Sequence, residues 1–299
     1  MIRRKRTRTR NRGLWSPTVG ATGWGESTYA EISWDKSRGA VMRWSIAGLV
    51  VGLIVALIAF APATWLTGYV ASATGERVLL PDARGTIWSG SAVVVLTGGP
   101  GSRDAASLPG RMEWSLGLHG LGFELHARHA CCLNGNIVLQ IRPGFGRTTV
   151  ALVPPSGWVG QWPSAFLGGL GTPWNTLQLG GTARLVSPGL TIESVQGRVL
   201  VNGRVDLDLV GVSSRLTTLD TLGSYRMSLS GDPANPGIST LNLTTTEGAL
   251  QLSGTGSLGP SGLRFRGEAS ADAADEPALS NLLNIIGRRT GARSVISIG

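Results

Sequence analysis

The residues best suited to bind a metal or exchange electrons lie in one short segment and are His126, His129, Cys131 and Cys132. Imidazole and thiolate groups are the usual zinc ligands, but the spacing His-x-x-His-x-Cys-Cys fits no familiar zinc pattern. Adjacent cysteines in an oxidising compartment could instead form a vicinal disulfide or a bridge to a partner. As free thiols they would be small apolar side chains in or near a strand. We therefore predict no metal and no cofactor here, and the state of the two cysteines stays open.

A serine nucleophile is the second chemistry to consider, because a serine lies beside a glycine and a tryptophan in Gly85–Ala92. This segment leads directly into the apolar run Val93–Leu96, whereas a nucleophile elbow needs a strand followed by a helix. We interpret it as a turn that enters a strand, with Trp88 packed on the sheet and Gly90 allowing the backbone to bend.

Acid–base catalysis has equally little support in the sequence. A Ser–His–Asp arrangement would have to use His119, His126 or His129, since no histidine follows residue 129. Asp206 and Asp208 share one face of a predicted strand without an obvious partner. We predict no catalytic, cofactor-binding or metal-binding residue, and hence that the protein is not an enzyme. A hydrolase is the weakest of the readings that we retain.

One glycine motif could suggest nucleotide binding. Gly254–Gly259 reads Gly-x-Gly-x-x-Gly after a predicted strand, but Pro260 follows where a dinucleotide site requires a helix to begin. We interpret the motif as part of a hairpin.

Beyond residue 75 the apolar residues alternate with period two, which is typical of strands with one buried face. The 44 glycines fit a chain with many turns between short strands. We predict a mainly β fold, with an antiparallel sheet that is curved or sandwich-like, and a few short helices. The predicted strand runs are Val93–Leu96, Met112–Leu118, Phe123–Ala127, Ile137–Ile141, Thr148–Val153, Leu177–Val186, Leu190–Val195, Gly197–Val210, and further runs beginning at Tyr225, Leu241, Leu250 and Leu263.

Helices and connections are predicted from caps and turn residues. The predicted helices are Ser164–Leu170, Ser213–Gly223 and Asp275–Gly287, the last two with a polar cap, a leucine stripe and a terminal glycine. Ser187–Gly189 is predicted to be a turn and Thr97–Gly110 an exposed loop. The segment 154–173 separates two groups of strands and could divide the sheet into two halves.

The N-terminal region carries most of the positive charge. Residues 1–43 hold 10 Lys/Arg and 3 Asp/Glu, and the remainder holds 17 arginines and 15 acids. Binding of nucleic acid by the main domain therefore has little support. The basic arm could contact nucleic acid or anionic lipid, but we expect a disordered cytoplasmic tail that orients the protein in a membrane.

A membrane helix is predicted over residues 44–66. These residues contain no charge and would span about 34 Å as a helix, enough to cross hydrocarbon about 30 Å thick. Trp44 lies at one end, and Trp65 and Tyr69 lie at the other, as at membrane interfaces. A cleaved signal peptide ending at Ala71-Ser72-Ala73 is the alternative, and Met42 could be the true start. With the anchor retained, residues 67–299 form a periplasmic β-rich domain.

The order of short motifs along the chain resembles the type II secretion system protein N family, from about Met42 to Gly299. Residues 1–41 fall outside the resemblance, and the cysteine pair has no place in the family pattern. The motifs that carry the resemblance are Pro62–Leu66, Gly85–Ala92, Leu179–Leu185, Leu219–Leu229, Leu243–Gly256 and Leu282–Arg289.

The resemblance implies a protein of the cell inner membrane with one span, a cytoplasmic N-terminus, a periplasmic β domain and no enzymatic activity. It implies an accessory role in the export of folded proteins across the outer membrane. The implied partners are other type II secretion components, namely inner-membrane platform proteins or the secretin. A membrane-anchored, lipid-binding or lipid-transfer β domain is the alternative function.

Overall fold

The structure of the protein is a computed structural model, which describes residues 24–172, 174–196, 198–232, 235, 237–259 and 262–299. The chain forms two compact units, Met1–Ile58 and Ala59–Gly299. Residues 1–23 of the predicted basic tail lie outside the described residues. Residues 24–43, predicted to be disordered, belong to a helix, and no proline interrupts them.

The first helix, α1 (Trp24–Ala59), contains the apolar segment predicted to cross a membrane. Residues Val41–Ala59 have a mean hydropathy of 2.2 and are unburied, so this helix is long and apolar enough to span a bilayer. It ends at Ala59, before the predicted end at Leu66. Pro62 has extended backbone angles, because proline offers no amide hydrogen for a continuing helix and clashes with the preceding turn.

A second helix, α2 (Ala63–Ala73), follows the proline and is part of the second unit. Ala63 is buried in a small cluster with Leu80, Ala92 and Trp114. Leu66, the predicted last residue of the membrane span, also packs against this cluster.

The second unit is mainly β, and antiparallel pairing joins all of its described strands, which confirms the predicted fold class. The strands are β1 (Val78–Leu79), β2 (Arg84–Gly85), β3 (Ser89–Ala92), β4 (Val95–Thr97), β5 (Ala105–Ser107), β6 (Met112–His119), β7 (Gly122–His129), β8 (Asn136–Gly144), β9 (Arg147–Leu152), β10 (Trp158–Pro163), β11 (Leu179–Val195), β12 (Arg198–Ser214), β13 (Gly223–Gly231), β14 (Ser239–Glu247), β15 (Leu250–Gly259), β16 (Gly262–Ala271), β17 (Arg288–Thr290) and β18 (Arg293–Ile298).

Among the described residues, fifteen of these strands form one sheet in the order β17-β18-β16-β15-β14-β13-β12-β11-β9-β8-β7-β6-β3-β2, with β10 paired to β11 beside this path. The other three form a small sheet, β1-β4-β5. The predicted loop Thr97–Gly110 is therefore wrong in part, because β5 lies within it and pairs with β4. Gly254–Gly259 lies at the end of β15, which forms a hairpin with β16 as predicted.

The long strand β11 connects the two groups of strands that flank residues 154–173. Its second half pairs with β9, and its first half pairs with β10. The intervening segment contains β10 and a 3₁₀ helix at Ser164–Leu170, where the sequence predicted a short helix.

The predicted turn at Ser187–Gly189 is wrong, because β11 passes through it with a bulge. The buried Ser187 hydroxyl donates to the Arg204 carbonyl oxygen at 2.7 Å and accepts from the Gly189 amide at 3.2 Å. Pro188 has no amide hydrogen to donate, and in a bulge the ladder does not require one. The same residues that favour a turn therefore accommodate a local break in the pairing register.

The predicted helix at Ser213–Gly223 is also wrong. Strand β12 continues to Ser214, whose hydroxyl donates to the Leu177 carbonyl at 2.6 Å and accepts from the Leu216 amide at 3.2 Å. Serine forms such local bonds in turns in competition with a helix. Leu222 is buried in the core, so the leucine spacing reflects the packing of a turn.

The predicted C-terminal helix is confirmed as α4 (Glu276–Ile286); a four-residue helix, α3 (Trp174–Leu177), precedes β11. Asp275 precedes α4, although its carboxylate makes no capping hydrogen bond. The helix buries Leu279, Leu282 and Leu283 against the sheet, and these leucines form the centre of the main core. The other buried members of this core are Leu167, Leu179, Ala183, Leu209, Val212, Leu222, Tyr225, Leu250 and Ala269.

Tyr225 contributes a buried hydrogen bond to this core. Its hydroxyl donates to the Leu250 carbonyl at 3.1 Å, and burial raises the pKa of the phenol well above its usual range. We expect Tyr225→Phe to lower the free energy of unfolding by about 1 kcal/mol, because the Leu250 carbonyl loses this donor. Chemical denaturation monitored by tryptophan fluorescence measures this change. Tyr69→Phe, at an exposed site on α2, is the control and should leave the midpoint unchanged.

Candidate functional site

The turn between β7 and β8 brings together three of the four residues best suited to metal or redox chemistry, His129, Cys131 and Cys132. Cys131 and Cys132 form a disulfide, so the vicinal alternative is the one that the structure contains. His129, at the end of β7, lies within reach of both sulfur atoms, and the three donor atoms are all within 4.8 Å of one another. Cys131 is exposed, whereas Cys132 is 3% exposed and His129 is 4% exposed.

The imidazole of His129 has a defined orientation in this turn. Its Nδ1 lies 3.3 Å from the Cys131 Sγ and 3.4 Å from the Cys131 amide nitrogen. An amide can only donate, so Nδ1 presents its lone pair and the ring proton lies on Nε2. Nε2 is buried without a hydrogen-bond partner. Burial also lowers the pKa of His129, which keeps the ring neutral.

His126 lies apart from this cluster. Its Nε2 is 2.9 Å from a Glu124 carboxylate oxygen, and its Nδ1 is 3.1 Å from the Asn136 side-chain nitrogen. His119 lies 3.5 Å from the same glutamate. Both ring nitrogens of His126 therefore have partners, and it is not placed to activate a serine.

The segment Gly85–Ala92 forms the hairpin between β2 and β3. Gly90 lies under Trp114, and a Cβ at this position would be 2.6 Å from the Trp114 ring. Trp88 is half-buried, with its ring centroid 6.2 Å from that of Phe123. The glycine and both tryptophans thus have packing roles, as expected of a turn that enters a strand.

Asp206 and Asp208 have partners that the sequence analysis missed. Arg204 donates to Asp206 at 2.8 Å, and Arg226 donates to Asp208 at 2.6 and 3.2 Å. Burial alone would raise the pKa of Asp206, but hydrogen bonds from Ser228 and Arg204 outweigh it and lower this pKa. The Arg204–Asp206 pair lies within β12, and the Arg226–Asp208 pair joins β12 to β13, so both ion pairs stabilise one face of the sheet.

An apolar cavity of about 120 Å³ lies between the sheet and the helices α3 and α4. This volume is below the roughly 300–1,000 Å³ of typical small-molecule sites. The cavity is lined by Trp174, Leu177, Leu179, Leu209, Val212, Leu222, Tyr225, Met227, Leu243, Leu250, Leu252, Leu282 and Ile286.

The two ends of the large sheet differ in length and chemistry. At one end β2 consists of only Arg84–Gly85. At the other end β17 pairs with Arg293–Val295 of β18, and among the described residues Ile296–Ile298 have a strand neighbour on one side only, β16. Such an edge exposes unpaired backbone donors and acceptors that can accept another strand. Ile298 is 50% exposed there.

Comparison with known proteins gives a match over most of the β unit. The family model for type II secretion system (T2SS), protein N, matches residues 76–296, well over half of the chain. The chain belongs to the type II secretion system protein N family. No curated protein and no solved structure matches it.

Membership of the type II secretion system protein N family gives the protein an accessory role in type II secretion. The family is not known for enzymatic activity. Together with the apolar helix at Val41–Ala59, the membership fits a membrane-anchored protein.

Proposed function

We propose that the protein is an accessory inner-membrane component of the type II secretion system whose β domain docks onto other secretion components during export of folded proteins across the outer membrane. The observation that carries this proposal is the family match over residues 76–296, which covers the strands from β1 through most of β18. The acid–base candidates His126, Asp206 and Asp208 are engaged in hydrogen bonds and ion pairs, which gives no support to acid–base catalysis by these residues.

The proposed placement follows from the distribution of charge along the chain. Residues 1–43 have an excess of seven positive charges (10 Lys/Arg against 3 Asp/Glu), and a cytoplasmic location for them obeys the positive-inside rule. The apolar part of α1 then crosses the inner membrane, and the domain that follows it, predicted from the sequence as residues 67–299, lies in the periplasm. There it can reach the inner-membrane platform proteins or the secretin.

The proposed docking surface is the edge of β18 at Ile296–Ile298. Within the part of the chain that the structure describes, no strand pairs with one side of their backbone, and a partner strand can add to such an edge by main-chain hydrogen bonds. Exposed apolar side chains such as Ile298 would add contact area. By contrast, the β2 end of the sheet offers only two paired residues.

Site-specific photo-crosslinking tests this proposal in cells that contain the secretion apparatus. We expect a photoreactive phenylalanine at Ile298 to give crosslinks to a secretion component that mass spectrometry identifies. The matched control is the same photoreactive residue at Ile192, which is 39% exposed on β11 and pairs with both β12 and β9. Equal labelling from both positions would contradict docking at the β18 edge, and an absence of secretion components at either would contradict the proposed function.

Lipid binding is the second candidate, and the wholly apolar cavity beneath α4 is the observation that favours it. An acyl chain would have to enlarge this cavity of about 120 Å³ by moving α4 away from the sheet. Native mass spectrometry of the purified protein and of its lipid extract distinguishes the candidates. Stoichiometric lipid would favour lipid binding, and lipid-free protein would exclude a tightly bound chain.

A further inference from the structure

The disulfide between Cys131 and Cys132 is poorly suited to a structural role. A disulfide stabilises a fold mainly by closing a loop in the unfolded chain, and the stabilisation grows with loop length. Here the two cysteines are adjacent, so the closed loop contains no intervening residue. Its removal should therefore change the entropy of the unfolded chain very little, and another reason for its presence must be sought.

The two cysteines differ in exposure. The Cys131 side chain is exposed at the β7–β8 turn, whereas Cys132 is 3% exposed. The carbonyl oxygen of Cys132 also accepts from the Gln161 amide at 2.9 Å, which fixes this residue against β10. An incoming thiolate can thus approach one sulfur of the pair, and the other is the leaving group. In thiol–disulfide exchange, such a difference in access influences which of the two sulfur atoms is attacked.

A base lies beside the accessible sulfur. The Nδ1 of His129 presents its lone pair 3.3 Å from the Cys131 Sγ and 3.4 Å from the Cys131 amide nitrogen, while Nε2 has no hydrogen-bond partner. In this position the imidazole can accept the proton of an attacking thiol and return it to a departing sulfur.

We propose that Cys131, Cys132 and His129 form a site of thiol–disulfide exchange with an external dithiol. One thiol of the dithiol transfers its proton to His129 Nδ1 and attacks the Cys131 Sγ; the Cys131–Cys132 bond breaks, and the Cys132 sulfur takes the proton. The second thiol then attacks the sulfur joined to Cys131 and releases Cys131, which is also protonated. The external dithiol is oxidised by two electrons to a disulfide, and the protein disulfide is reduced to two thiols. This activity is independent of the proposed docking function.

The reduction rate of the folded full-length protein in detergent tests the role of His129. Dithiothreitol is the probe, and free thiols are trapped at intervals with a maleimide and counted by mass spectrometry. We expect His129→Asn to slow reduction about tenfold or more, because general-base catalysis is lost. His126→Asn is the matched control. The disulfide of this variant should be reduced at the wild-type rate, since the His126 ring contacts Glu124 and Asn136 and lies apart from the disulfide. A wild-type rate for His129→Asn would overturn the proposal, as would a disulfide that dithiothreitol cannot reduce in the folded protein.

A second pair of variants keeps the test valid if His129→Asn does not fold. Cys132→Ser leaves the accessible thiol beside His129, and Cys131→Ser leaves only the buried one. Reaction with 5,5′-dithiobis(2-nitrobenzoate) should be about tenfold or more faster for Cys132→Ser, because exchange rates follow access and thiolate character. Equal rates would show that the sulfur atoms do not differ in access and would overturn the assignment of Cys131 as the attacked sulfur. Far-ultraviolet circular dichroism confirms that each variant keeps its strand content.

Discussion

Replacing Leu283 by alanine is expected to lower the free energy of unfolding by about 2–5 kcal/mol, the range for leucine deletions in a well-packed core. Leu283 is 0% exposed and lies with Leu279 and Leu282 at the centre of the contact between α4 and the sheet. The carbonyl of Leu283 also accepts from the buried Ser294 hydroxyl at 2.6 Å, so the backbone there is tied to β18 and cannot readily move to fill the space. A cavity should therefore persist in the variant.

Guanidinium denaturation of the full chain in detergent, followed by tryptophan fluorescence, measures this loss. Ile285→Ala is the matched control because Ile285 lies on the same helix and is 40% exposed. Replacing Ile285 should lower the free energy of unfolding by about 1 kcal/mol or less, since much of its surface already contacts solvent. A similar loss for both variants would show that α4 does not dock through the leucine stripe.

This leucine stripe is also the part of the fold that the sequence predicted best, and for the same physical reason. Apolar residues at 279, 282 and 283 can meet one surface only if the segment is helical, and a terminal glycine agrees with that assignment. The strands from β6 to β9 and from β13 to β16 were equally evident, since alternation places one set of side chains on one face. Where local pattern and burial agree, sequence alone was sufficient.

The wrong predictions concern segments whose local sequence pattern is compatible with two different structures. Ser187-Pro-Gly suits a turn between two strands and also a bulge within one long strand, and the choice depends on the hydrogen bond from Ser187 to Arg204, which is remote in sequence. A helix would place Leu216, Leu219 and Leu222 along one face, but a turn that begins at Ser214 also packs them onto the core. Contacts between distant strands decided both cases, and such contacts leave no signal in a single sequence.

The contacts of the candidate site were also only partly predictable from the sequence, although two residue spacings gave usable information. His126 and His129 are three residues apart on β7 and therefore point to opposite faces, so alternation alone could have excluded a site containing both. Arg204 lies two residues before Asp206 on the same face of β12, which makes it a predictable partner. The pairing of Asp208 with Arg226 required the register between β12 and β13. The disulfide was one of the open alternatives, because composition cannot distinguish it from two thiols.

Arginine substitutions at Leu49 and Leu53 together are expected to abolish retention of the protein in the membrane. Both residues lie within the apolar segment Val41–Ala59. Each arginine near the centre of a membrane helix costs about 2.5–3.5 kcal/mol by insertion scales, so the pair removes most of the driving force for insertion. Carbonate extraction of membranes, followed by immunodetection of a C-terminal tag, measures the fraction retained. We expect the wild type in the pellet and the double variant in the supernatant.

The control for this experiment also separates the two possible ends of the membrane segment. Trp65 and Tyr69 are exposed on α2, four residues apart, and could mark the membrane interface as the sequence suggests. However, Ala63 and Leu66 of the same helix pack in the cluster around Trp114, and Pro62 separates α2 from α1. If the anchor ends at Ala59, Trp65→Arg with Tyr69→Arg adds the same charge and leaves the protein in the pellet. Release by both double variants would extend the anchor to Leu66, and retention of both would refute anchoring by α1.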